Sequence, residues 1–270
     1  MLIADASTIN FSALEKDIKR DLRNADIPLP FYMNLFPSFP KSPEIINTRV
    51  SIRVIFGAGP HWGTEKKRQM TQAYNGGVFK TLRVFPENYF KRPLSPLERI
   101  ASAVHEVMHH VDLSKRMTGG IIDAAKTMPQ DPKIKALFFG NIAERIADAG
   151  ATLYLLSNVS DLKRAGWVVQ KREDDRRVCA DATHYTVSSI ESAVAWFQAR
   201  PMQGLGVYEA ALFARQFVAA EANEIADQFP AVVKASDYIA RGVGAGSDEP
   251  PVAKLVKDAF RARGRLLAQL

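Results

Sequence analysis

Three of the chain's five histidines fall within six residues, in the stretch Ser95-Pro-Leu-Glu-Arg-Ile-Ala-Ser-Ala-Val-His105-Glu106-Val-Met-His109-His110-Val-Asp112. On a helix, His105 and His109 project from nearly the same face one turn apart, so two imidazoles can grip one ion. Glu106 is turned aside by about 100°. From there a carboxylate can take a proton from a metal-bound water without itself occupying the metal. The spacing is HExxH, and the single cysteine, Cys179, cannot build a Cys-rich site, so histidine and carboxylate must hold any metal. The chemistry expected of such a group is hydrolysis of an amide. Zinc lowers the pKa of its bound water toward about 7 and polarises the scissile carbonyl, while Glu106 carries the proton from water to the leaving nitrogen.

A catalytic zinc uses three protein ligands and keeps one position open, so a third ligand is needed. The metzincin pattern would put glycine at 112 and histidine at 115, where this chain has Asp112 and Lys115. A carboxylate is the remaining choice. The stretch Asn141-Ile-Ala-Glu144-Arg-Ile-Ala-Asp148-Ala-Gly-Ala-Thr-Leu-Tyr-Leu offers Glu144 and Asp148 four residues apart on a second helix, among small residues that let helices approach closely. Glu144 could ligate the metal while Asp148 accepts the Nδ1 proton of His105 or His109. The competing explanation is two exposed charges at helical spacing, and Asp112, Asp123 and Asp131 are lesser candidates. The oxyanion formed during attack needs a further donor. His184 and Tyr185, adjacent in Asp181-Ala-Thr-His-Tyr, suit that role if they are not ordinary packing, and Tyr154 and His110 are alternatives.

HExxHxxD followed by ExxAD resembles the zinc site of the gluzincin metallopeptidases, and the ERIAD run within Ala143 to Gly150 is similar to the corresponding helix of neprilysin-like enzymes. The likeness to compact intracellular zinc peptidases of the ImmA/IrrE type is comparable, so the resemblance is to the superfamily. It covers about Ile100 to Leu113 and Asn141 to Leu156. The interval between them is shorter than in neprilysin-like enzymes, and their disulfide-bonded ectodomain is absent. The resemblance implies His105, His109 and Glu144 as zinc ligands, Glu106 as general base and Asp148 as a support behind the ligands. Asp112 would also support the site, as the aspartate three beyond the second histidine does in neprilysin-like enzymes.

These side chains need elements to hold them. Ser95, Pro96 and Glu98 make a helix entry with a capping box, and Leu97, Ile100, Val104, Met108 and Val111 form its apolar stripe. An earlier helix is expected from about Ala13 to Ala25, with Leu14, Ile18 and Leu22 buried and Ser12 with Glu15 as capping box. Five prolines between Pro28 and Pro43, mixed with aromatics, make an extended connection. Alternation through Val50, Ile52, Val54 and Phe56 predicts a strand. Two more runs, Arg68 to Tyr74 and Val78 to Phe85, flank Asn75-Gly76-Gly77 as a hairpin, the second run serving as an edge strand that holds an extended peptide. From Pro93 the pattern turns helical, in 96–115, 133–157, 188–199, 205–228, 230–241 and 252–269. The expected fold class is α+β, mainly α, and zincin-like: a small N-terminal antiparallel or mixed sheet with an active-site helix, then a helical C-terminal lobe. The expected divisions are 1–45, an N-terminal helix and Pro/aromatic-rich connection; 46–160, the catalytic core; and 161–270, the helical lobe.

With 270 residues, 47 % hydrophobic and 24 % charged, the chain can bury a sizeable core, which excludes disorder as its main state. No apolar run approaches the roughly 20 residues of a membrane span. Asp5 interrupts the stretch where a secretory signal would lie, and one cysteine suits a reducing compartment such as the cytoplasm. A net charge of +7 and a pI near 9.5 favour an acidic partner or nucleic acid on the basic surface, including a cationic amphipathic segment from Val252 to Leu270. The expected function is therefore a zinc metalloendopeptidase acting on a peptide or protein substrate. The alternative is a basic structural or nucleic-acid-associated protein with the fold but no peptidase activity, and a third reading is a metal-dependent hydrolase of another bond.

Overall fold

In the computed structural model the described residues are 9–29, 32–36, 53–56, 79–83, 96–159 and 182–240. Their elements, in order, are α1 (Phe11–Asn24), β1 (Tyr32–Asn34), β2 (Arg53–Phe56), β3 (Phe79–Arg83), α2 (Pro96–Lys115), α3 (Met117–Ala124), α4 (Pro132–Asn158), a 3-10 turn (Ala182–His184), α5 (Val187–Ala199) and α6 (Val207–Ala240). Ser95, the 68–77 half of the expected hairpin, most of the proline-rich connection, Cys179 and the cationic 252–269 segment lie outside the described residues.

α4 is the axis of the molecule. Asp131 caps it, accepting from the backbone N–H groups of Lys133 (2.7 Å) and Ile134 (3.1 Å), and Pro132 occupies the first turn, where no N–H is needed. Every residue from Glu144 to Asn158 is buried, the pattern of a helix surrounded on all sides. α2, α5, α6 and the 3-10 turn pack around it. α2 begins at Pro96 as expected and buries Ile100, Val104, Met108 and Val111. It stops at Arg116, which adopts left-handed angles (φ 51°, ψ 41°) before α3 starts.

α1 buries Leu14, Ile18 and Leu22 as the periodicity predicts, but its cap is Asn10, whose side chain accepts from the Ala13 N–H at 3.0 Å. Ser12 lies inside the helix. Glu15 instead pairs with Lys19 and accepts from the Leu35 N–H, tying the following chain to α1. The expected break between 228 and 230 is also corrected: α6 runs through Pro230. Proline removes one helical hydrogen bond, and Phe229, Val232 and Val233, all buried, hold the helix together across it. Phe229 meets Phe138 of α4 edge-on, with ring centroids 5.5 Å apart.

The α+β expectation does not hold. Helices of 14, 20, 8, 27, 13 and 34 residues stand against strands of 3, 4 and 5, so the described molecule is mainly helical rather than a sheet with helices laid on it. Among the residues whose burial is described, the apolar cluster comes mainly from the helices, joined by Ile27, Met33, Leu35, Val159, Ala182 and Leu205. Strands this short give too little alternating sequence to carry a sheet-based core. The three strands pair in the order β1-β3-β2, β1 parallel and β2 antiparallel to β3. β3 is thus the central strand, with Leu82 between Met33 and Val54, and not the edge expected for the Val78 to Phe85 run. From Thr81 to Arg83 both its sides are paired, which leaves that part no free side for an added peptide strand. Among the described residues, no helix is long and apolar enough to cross a membrane.

Candidate metal centre

α2 and α4 meet along the faces that carry the motif residues. At Gly150 a Cβ would stand 2.9 Å from Met108 Sδ and 3.1 Å from its Cγ, so the absent side chain is what lets α4 close on the turn between His105 and His109. The two imidazoles stand edge-on, with centroids 4.7 Å apart and planes at 89°. Their Nε2 atoms are 3.1 Å apart. Glu144 faces both: Oε2 lies 3.3 Å from His105 Nε2 and Oε1 lies 3.4 Å from His109 Nε2. His105, His109 and Glu144 therefore form a buried group, with ligand atoms within 4.8 Å of one another, that could bind a metal ion.

The donor chemistry fits a cation. His105 Nδ1 donates to Asp148 Oδ1 at 2.9 Å, which leaves the lone pair on Nε2 and turns it toward His109 and Glu144. Glu144 Oε2 is buried without a hydrogen-bond partner, a costly condition that a cation in the same space would relieve. Burial alone would push the Glu144 carboxyl up. The imidazoles of His184 and His109 beside it outweigh burial and hold the carboxyl well below the usual range. Asp148 is itself fixed at both oxygens, because Oδ2 accepts from Thr186 Oγ1 at 2.7 Å. Glu106 Oε1 stands 3.8 Å from His105 Nε2, beside the three candidate ligands.

The other residues singled out from sequence are distributed as follows. His184 reaches the group, with Nε2 3.6 Å from Glu144 Oε2 and Nδ1 3.1 Å from Thr183 Oγ1. Tyr185 enters through its backbone carbonyl, which accepts from Asn141 at 3.0 Å; burial pushes its phenol up, opposed by Arg145. Asp112 accepts from the Thr118 N–H and Oγ1, both at 2.6 Å, and so joins α2 to α3. Burial raises its pKa, and the Thr118 bonds oppose that rise. His110 bonds through Nε2 to the Pro28 carbonyl at 2.7 Å, and burial draws its imidazole pKa down. Tyr154 is buried where the α1 acids Asp21 and Asp17 act on it, with its phenol pushed up by burial. Asp131 caps α4, and Asp123 is exposed.

Sequence reasoning missed Asn141, Arg145 and Thr186. Arg145 is buried, donating from Nε to Asn141 Oδ1 (2.8 Å) and from Nη1 to Ser188 Oγ (2.7 Å) and Ser189 Oγ (3.0 Å). Glu221 lies 3.8 Å away and accepts from Ser188, Ser189 and Ser192. Burial brings the Arg145 pKa down to about 10 against the pull of Glu221. A signal existed: Asn141, Glu144, Arg145 and Asp148 form a polar stripe at helical spacing on an otherwise apolar helix. No known family, curated protein or solved structure matches this chain.

Proposed function

We propose that the chain is a zinc-dependent metallopeptidase in which His105, His109 and Glu144 hold the ion, Glu106 moves the proton, and a peptide or protein is the substrate. One observation carries this reading: the 3.1, 3.3 and 3.4 Å separations among His105 Nε2, His109 Nε2 and the Glu144 carboxylate. A tetrahedral zinc with bonds of about 2.0–2.1 Å sets its ligand atoms about 3.3 Å apart. The likeness of HExxH and ERIAD to gluzincin motifs supports the same donor set. Two imidazoles and one carboxylate also make a three-ligand site of the catalytic kind.

Zinc bound there supplies a Lewis acid that acidifies water and polarises a carbonyl. Asp148 holds the proton on His105 Nδ1 and keeps its Nε2 a donor of electrons. Glu144, with its two oxygens facing the two Nε2 atoms, would be the anionic ligand that complements the charge of the ion. Glu106, beside the ligands rather than among them, receives a proton at its carboxylate from the attacking water and returns it to the leaving amine. His184 Nε2 faces the same space and is the candidate donor to the charge that grows on the carbonyl oxygen.

The test is metal content and peptide hydrolysis in the wild type and in Glu106→Gln. Wild type should bind one zinc and cleave peptides. Glu106→Gln should keep the zinc and lose about 10²–10⁴-fold in rate. A wild-type protein that carries no zinc and cannot be loaded with it would end this reading.

A further inference from the structure

We infer that Asn141 is a positioning residue that fastens the 182–186 segment to α4, so that one helix places His184 and Thr186 as well as its own Glu144 and Asp148. Its consequence for catalysis rests on the metallopeptidase reading. Its geometry does not.

Asn141 is fully buried, and both the oxygen and the nitrogen of its amide are engaged. Nδ2 donates to the carbonyls of Ala182 (3.2 Å), Thr183 (2.9 Å) and Tyr185 (3.0 Å). Oδ1 accepts from Arg145 Nε at 2.8 Å. A guanidinium can only donate, so Arg145 decides which end of the amide faces it and leaves the NH2 group no direction but the turn. Arg145 is fixed in its turn by Ser188 and Ser189 of α5. The carbonyls that Asn141 collects belong to a short turn, which has no long helical ladder to satisfy them. On one side of that turn His184 meets Glu144, and on the other Thr186 meets Asp148. Asn141, Glu144 and Asp148 are spaced i, i+3 and i+7, so anchor, candidate ligand and His105 partner form one stripe of α4.

No other residue does this work in the same volume. Aspartate keeps the bond from Arg145 but offers no N–H to the turn, and serine has a single donor. Asn141→Asp therefore cuts the turn loose while keeping α4 joined to Arg145. In the full chain loaded with zinc, the imidazole nitrogen signals of His184, assigned by their disappearance in His184→Gln, should shift in Asn141→Asp. Zinc affinity should stay within about 3-fold, and kcat should fall about 100-fold, the scale of a displacement of about 1 Å in a catalytic group. Unmoved His184 signals would overturn the inference. So would a loss of zinc affinity beyond 10-fold, which would mean that Asn141 acts on Glu144 and not on the turn.

Should Asn141→Asp not fold, the wild type decides alone. The Asn141 side-chain NH2 protons should exchange with solvent at least 100-fold more slowly than those of a free amide, and solvent-like exchange overturns the inference. Both spectroscopic readings can be made on metal-free protein. If the wild type neither binds zinc nor cleaves peptides, the metallopeptidase reading falls while slow exchange and a shifted His184 still establish the anchor.

Discussion

At His105 the proton sits on Nδ1, because Asp148 takes it there and is itself held by Thr186. That small arrangement sets the lone pair that a metal would use, and it separates two kinds of carboxylate on one helix. Glu144 faces both Nε2 atoms, whereas Asp148 faces the back of one ring. Removing them should have unequal effects. Glu144→Ala should remove most zinc affinity, and Asp148→Asn should weaken it by about 10–100-fold, measured by competition with a chromophoric chelator. Unchanged affinity in Glu144→Ala would move the third ligand elsewhere.

Among the elements, the contact between α2 and α4 fixes the separation of imidazoles and carboxylate. Glycine inside a helix costs about 1 kcal/mol relative to alanine, so Gly150 is there for proximity to Met108. Gly150→Val should destabilise the protein by about 1–3 kcal/mol in urea unfolding, the range for overpacking a core, and should lower zinc affinity with it. Adding Met108→Ala should recover part of both losses, since the clash is with the flexible Met108 side chain. A Gly150→Val protein as stable as the wild type, with unaltered metal affinity, would show that close approach at this point does not set the spacing.

At the scale of the described molecule, α6 packs on α4 and meets α1 at its own first turn. Asp21 of α1 lies at that junction. Its pKa is raised by burial first, with a hydrogen bond from the Val207 backbone opposing the rise and Glu209 adding to it. A carboxyl with a raised folded-state pKa favours the protonated form in the fold. Stability is then lost as pH rises from the unfolded value of 3.8 through the raised one, and the loss persists at neutral pH. Asp21→Asn, whose amide oxygen can still accept from Val207, should therefore melt at a higher temperature than wild type at pH 7. Calorimetry should show the gap narrowing as pH is lowered toward 3.8; a gap that does not depend on pH would assign the effect to something other than this charge.

The sequence by itself determined what is local. Two histidines four apart on an amphipathic helix, and Glu144 with Asp148 on another, follow from a repeat of about 3.6 residues that depends on neighbours in the chain alone. The α1 stripe of Leu14, Ile18 and Leu22 was legible for the same reason. Tertiary structure decided what crosses from one element to another. It chose His105 over His109 as the partner of Asp148, gave Asp112 to Thr118, and brought Asn141 to the turn carbonyls and Asp148 to Thr186, each about forty residues along the chain. It also put β3 between two strands and carried α6 through Pro230. Periodicity tells which face of a helix is apolar or polar; which partner fills that face depends on how close the backbones come, and here that closeness is set at places such as Gly150.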